Sequence, residues 1–255
     1  ITGPALLDDP SLSQAREHVD NWLSQGMGLI SVLSDQYPAR LRDVREAPAL
    51  LYYQGDLTPA DQGVCIVGSR DADDDALRVA DYVARALVEA GLTVVSGLAA
   101  GIDTAAHTAT LEAGGRTVAV MGTGLGRTYP ATNKNLRERI VANHGLVMTQ
   151  FEPNAVVKPA NFPMRNAVMS GYGITTFVVV ASERSGTRSQ AKNAVKHGRG
   201  IVLAHRVAES TSWGQELART GQARVADSTR DVLDQVRALQ AERAQAEELL
   251  RELVA

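Results

Sequence analysis

Residues 93–126 read TVVSGLAAGIDTAAHTATLEAGGRTVAVMGTGLG. Thr93–Val95 and Thr117–Met121 are short runs rich in β-branched residues, apolar at nearly every position rather than at alternate ones. That marks strands covered on both faces, as in a parallel sheet. Between them Thr104–Ala113 has helix length and composition, and Gly114 and Gly115 stand where the helix should stop. The same alternation extends outward. Val64–Val67, Leu146–Met148, Thr175–Val180 and Ile201–Leu203 repeat the strand signature; Ala76–Glu89 and Asn135–Ala142 repeat the helical one, with Gly91, Gly145 and Gly198 as stops. Repeated strand–helix units predict an α/β fold with a doubly wound, mostly parallel sheet.

Three segments follow from this pattern. Residues 1–60 are a mixed lead-in, partly helical and packed on the core, bounded by the Gly/Pro-containing stretch Gly55–Gly63. Residues 61–228 are the doubly wound core. Residues 229–255 carry Val232, Val236, Leu239, Ala246, Leu250 and Leu253 at three-to-four spacing without Gly or Pro, an amphipathic helix that either packs back on its domain or meets a partner.

The chain has 255 residues, 44% hydrophobic and 4% aromatic, enough to bury one sizeable core. The single cysteine, Cys65, lies in an apolar run, so no intrachain disulfide and no CxxC metal pattern exist, and a reduced, cytoplasmic setting is expected. No apolar run approaches the ~18 residues of a membrane span, and no signal-peptide pattern opens the chain. It begins at Ile1 without methionine, as an excerpt of a longer protein would. Net charge is -3, but the distribution is uneven. Arg184, Arg188, Lys192, Lys196, Arg199 and Arg206 follow the lone acid Glu183; Arg127, Lys134, Arg137 and Arg139 form a second basic stretch; Asp71, Asp73, Asp74 and Asp75 cluster at a helix start.

Ligands of an open parallel sheet gather at the carboxyl ends of its strands. There the chain places Gly68-Ser69-Arg70, then Ser96-Gly97 through Gly101, then Gly122-Thr123-Gly124 with Tyr129 and Asn133, then Ser185-Gly186-Thr187-Arg188. Small residues let backbone N–H groups approach a ligand, and each turn opens a helix whose N-terminus favours an anion. Four such turns on one rim predict a phosphate-binding edge. Phe162-Pro163-Met164-Arg165-Asn166 should start a helix facing the same rim, Pro163 suiting its first turn. The GxGxG at Gly122 is not a dinucleotide fingerprint and no P-loop is present, so NAD and ATP lose support. Asp103 and His107 share a helix face, but no nucleophile accompanies them, and helix capping by Asp103 is the expected role. His144, His197 and His205 lack ligand spacing, so no metal is expected.

Five ordered segments resemble the DprA/Smf family of DNA-processing proteins over nearly the whole chain. They are YPARLRDVREAPALLYYQGDL (37–57), VCIVGSRDA (64–72), the long VVSGLAAGIDTAAHTATLEAGGRTVAVMGTGLGRTYPATNKNL (94–136), FPMRN (162–166) and SGT…A…GR (from 185). The resemblance implies an extended Rossmann-like core that binds single-stranded DNA, forms homodimers, loads a RecA-class recombinase during natural transformation and turns over no substrate. It assigns phosphate contacts to Ser69, Arg70 and Arg165, with Gly97, Gly101, Gly122 and Gly124 lining the pocket. Lys134 beside Asn133 is a further basic contact, although the family's lysine often falls at the position of Ala131. Tyr129 and Phe162 are the aromatics available for base stacking. The sequence departs from the family where Ala167 replaces the last arginine of FPxRNR, where Thr187 and Gln190 stand in SGSxxT, and where His205-Arg206 replaces a Pro-Gly. Two rival readings remain. One is a nucleotide-binding sensor or hydrolase like the lysine-decarboxylase-like families, although their PGGxGTxxE is absent. The other is a scaffold acting through its C-terminal helix.

Overall fold

The computed structural model describes residues 10–254. Nine strands form one sheet in the order β1-β2-β6-β5-β4-β3-β7-β8-β9. The seven strands from β6 to β9 run parallel: β3 (Gly63–Val67), β4 (Thr93–Ser96), β5 (Thr117–Val120), β6 (Leu146–Thr149), β7 (Thr175–Val178), β8 (Gly200–Ala204) and β9 (Arg224–Ala226). From the lead-in, β1 (Gly28–Ser31) and β2 (Leu50–Gly55) extend the sheet antiparallel beyond β6. The predicted doubly wound, mostly parallel α/β sheet is therefore present, with β1, β2 and β9 added at its edges.

Side chains alternate across each strand, so each strand feeds two cores. Cys65 and Val67 of β3 join the layer under α6 (Asn161–Tyr172) and α7 (Gly186–Lys196), together with Val168, Met169 and Ala191. Val64 and Ile66 join the opposite layer with Ala80, Val83 and Leu87 of α3 (Asp74–Glu89), Ile102 and Ala106 of α4 (Ile102–Glu112), and Val232 and Val236 of α10 (Thr229–Val254). A third cluster holds α5 (Lys134–Ala142) through Leu136 and Ile140. Each fully buried Leu, Ile or Phe contributes about 1.5–3 kcal/mol. α2 (Ala39–Arg42) seats Leu41 against α6; α8 (His205–Ser210) and α9 (Ser212–Arg219) follow β8; α1 (Pro10–Ser24) lies beside β1.

Gly91, Gly114 and Gly198 stand at φ 72°, 71° and 61° just past α3, α4 and α7, as their positions predict. α5 ends differently. There His144 takes the left-handed turn at φ 58° and Gly145 does not. The stretch between β2 and β3 is held by a buried network in which Tyr172 Oη donates to Asp61 at 2.7 Å and Arg116 Nε donates to the same oxygen at 3.1 Å. Among the described residues no helix is long and apolar enough to cross a membrane.

Candidate functional site

The strand order reverses between β3 and β7: the chain winds outward from β3 to β6, then returns to start β7 on the other side. Crevices at such reversals are where open α/β sheets bind ligands. Here a cleft of about 410 Å³ opens at the carboxyl ends of β3 and β7. Its walls come from the β3 turn (Gly68, Ser69, Arg70), the first turns of α6 (Phe162, Arg165, Asn166) and the start of α7 (Ser185, Gly186, Thr187), with Asp103 and Gln190 deeper in.

Two arginines define its chemistry. Arg70 is exposed, and its guanidinium lies 4.8 Å from the centroid of the Phe162 ring, a cation–π contact that leaves its outer face open. Tyr129 tilts against the same Phe162 ring, with centroids 5.9 Å apart. Arg165 is buried, and Nη1 is 3.8 Å from the Asp103 carboxylate. Burial pulls its pKa down while Asp103 holds it up; an arginine so placed stays charged. Its Nε has no hydrogen-bond partner among the described residues. Asp103 does not cap its own helix as expected. Gly101 (φ 72°) is the N-cap residue of α4, and Asp103 accepts from the N–H groups of Gly97 (3.1 Å) and Ala99 (3.2 Å) in the preceding turn.

That bond divides the four Gly-rich turns of the predicted rim. The β4 turn has spent its Gly97 and Ala99 amides on Asp103. The β5 turn has spent its own on the segment before α6: Gly124 N–H donates to Ala155 O (3.2 Å) and Gly126 N–H to Pro153 O (2.7 Å). The β3 turn and the α7 start face the cleft. Ser185 caps α7, accepting from Thr187 N–H at 3.1 Å, and Asn166 Nδ2 donates to Gly186 O at 3.3 Å, tying α6 to α7 across the mouth.

Of the residues named from sequence, Gly68, Ser69, Arg70, Phe162, Arg165, Asn166, Ser185 and Gly186 come together in the cleft wall. Others lie behind it. Ser96 Oγ donates to Ile66 O at 2.7 Å, joining β4 to β3. Gly97 and Gly101 sit in the β4 turn, and Gly122 backs the Phe162 ring while its carbonyl accepts from Asn161 Nδ2 at 3.0 Å. Asn133 is a latch, its Nδ2 donating to Leu98 O, Ala99 O and Thr104 Oγ1. Lys134 is exposed, away from the cleft, 4.0 Å from Glu138. Gln190 and Asp103 belong to the wall and were not named for it. Gln190 is placed by its inward position on α7, one turn past the Ser185 cap, a helical-phase signal the sequence does carry.

Residues 28–237 match the sequence profile of DNA recombination-mediator protein A. The DNA processing protein DprA of Streptococcus pneumoniae is 37% identical over 206 residues, 80% of this chain and 72% of that protein. The chain belongs to the DNA recombination-mediator protein A family. A solved structure of the pneumococcal DNA processing protein A superposes with a TM-score of 0.73 at 32% identity, covering 92% of this chain and 82% of that one. The Helicobacter pylori DNA processing protein A, whose structure is described as giving insight into its single-stranded DNA binding mode, also superposes at 0.73. It is 22% identical, covers 85% of this chain and 96% of its own, and so supports the family fold.

Proposed function

We propose that the cleft between β3 and β7 holds single-stranded DNA. The carrying observation is the Arg70 guanidinium resting on the Phe162 ring beside the buried Arg165. Single strands need cations for phosphates and aromatic faces for bases, and this wall offers both within one contact. The relative from H. pylori, described as binding single-stranded DNA, supports the reading. Ser69, Arg70 and the Gly186 amide would meet phosphate, with Phe162 and Tyr129 stacking.

Binding without turnover is supported by how these polar groups are held. One oxygen of the Asp103 carboxylate takes two amides and faces Arg165, and the Ser185 hydroxyl donates to Thr187. The family's description as a recombination mediator supports transfer of the strand to a RecA-class recombinase, in recombination or natural transformation, by a cytoplasmic protein. Exposed Leu249, Leu250 and Leu253 on the last turns of α10 support a homodimer.

The test is an oligonucleotide titration at two salt concentrations. Log affinity should fall linearly with log salt, and Arg70→Ala should weaken binding roughly tenfold and reduce the slope by about 0.7. Unchanged affinity and slope in Arg70→Ala would remove the cleft as the DNA site. A mononucleotide that raises thermal stability while oligonucleotides do not bind would make the protein a nucleotide sensor instead.

A further inference from the structure

The basic run from Arg184 to Arg206 is split by the fold. Arg199 is buried and donates to Arg40 O (2.7 Å) and Gly171 O (3.3 Å). Lys196 pairs with Glu46, and Arg206 pairs with Asp73 at 2.7 Å. Those three cations hold elements together and are unavailable to a polyanion. Arg184, Arg188 and Lys192 are left. Arg188 and Lys192 stand one turn apart on the same face of α7, and Arg184 lies in the turn just before it.

The three line a shallow groove with Glu183, Ser185, Ser189 and Asn193, and Ser185 is also part of the cleft mouth. Beyond it, Arg188 and Lys192 border a second groove lined by Trp213 and Leu217, whose one acid, Glu216, is paired with Arg219 at 2.8 Å. Arg184 and Lys192 are exposed, and among the described residues neither has a carboxylate within 4.0 Å. Arg188 keeps a 3.8 Å approach to Glu183. Holding two cations and a third partly compensated one in a row costs self-repulsion, which a polyanion relieves. The protein's net charge of -3 makes this local excess the more pointed.

We infer that a single strand seated in the cleft leaves it past Ser185 and runs along α7, its phosphates neutralised in turn by Arg184, Arg188 and Lys192. This rests on the cleft being a DNA site. It adds a second, sequence-independent segment to that site, reading backbone charge and not bases. The cleft anchors the strand; the α7 track lengthens the footprint and sets most of its salt dependence.

The experiment compares oligodeoxythymidylates of about four and about twenty nucleotides, the first matched to the cleft and the second long enough to follow the helix. Native protein and the double variant Arg184→Ala/Lys192→Ala are titrated with each across a salt series. Removing two phosphate contacts should lower the long-probe salt slope by about 1.4, at about 0.7 per contact for single strands. Long-probe affinity at low salt should drop roughly tenfold, while the short-probe Kd stays within about twofold. Arg184→Glu/Lys192→Glu should deepen only the long-probe loss. An unaltered long-probe slope overturns the track, as does a parallel loss with the short probe, which would place these side chains in the cleft itself. The two levels separate cleanly. If native protein binds both probes through Arg70 but the slope holds, only the track fails; if it binds neither, the cleft reading fails and takes the track with it.

Discussion

Gly97 and Arg165 compete for one small volume. A Cβ built on Gly97 would fall onto the Arg165 guanidinium, the flexible end of a long side chain, so the backbone could accept alanine only if Arg165 moved. Moving it would break the 3.8 Å approach to Asp103 and push a cation into the cleft. Gly97→Ala should therefore fold, cost about 1–3 kcal/mol of stability as an overpacked site does, and weaken oligonucleotide binding at least tenfold. A melt and a titration on the same preparation check both halves; native affinity with normal stability would mean that Arg165 has no part in the cleft. Asp103→Asn should destabilise by about 3 kcal/mol, because it leaves a buried guanidinium without its counter-charge, and chemical denaturation measures that. Gly97 was legible as a small residue admitting close approach. What approaches is a side chain from 68 residues further on (165 − 97), and no local pattern announces that pairing. Arg165 and Asn166 were legible because Pro163 fixes the phase of the helix that carries them.

At the scale of elements, the strands readable from sequence are those covered on both faces, β3 to β8, which are dominated by apolar and β-branched residues with Thr or Ser mostly at their ends. β1 is a half-covered edge strand, β2 beside it is covered over only part of its length, and β9 spans three residues, so neither the continuous run nor a sustained alternation forms. α10 is the amphipathic helix its spacing predicts, and packing divides it in two. Val232 and Val236 are buried against α3 and β8, and Leu239 is partly buried beside them. Leu250 is 61% exposed and Leu253 82%. A three-to-four spacing records which side chains share a face, and says nothing of how far the neighbouring layer reaches. Val236→Ala should cost about 2 kcal/mol through its cavity, whereas Leu253→Ala should change stability by less than about 0.5 kcal/mol. Paired urea melts decide it, and equal losses would show that both halves of the helix are packed in solution.

For the whole molecule, the predicted rim was legible as a set of glycine-rich turns, but its selectivity was not. Which turns stay open depends on where the strand order reverses and on Asp103 and the segment before α6 consuming amides, both consequences of assembly. Assembly also buries a titratable group far from the surface. His107 is fully buried, its Nδ1 is 2.7 Å from Thr117 Oγ1, its Nε2 has no partner among the described residues, and burial pushes its pKa down to about 3. The unfolded chain protonates this histidine near pH 6.5 and the folded one does not. The unfolded state therefore binds more protons between about pH 3 and 6.5, and stability must fall as pH falls through that window. Glu46 and Asp73, each held down to about 2 by basic partners, add losses as pH falls from the ordinary carboxylate range towards 2. His205, raised by Glu209 and Asp227, works in the opposite sense, but it is exposed and screened. From pH 6 to pH 5 the protein should lose about 1 kcal/mol, less than the 1.4 kcal/mol of a full proton per unit because the unfolded histidine is only partly titrated at pH 6. His107→Leu should flatten that segment of the profile whatever it does to stability at pH 7. Urea melts at pH 5, 6 and 7 on both proteins measure the slopes, and a native profile already flat there would mean that the folded state takes up the proton, with His107 opening to solvent.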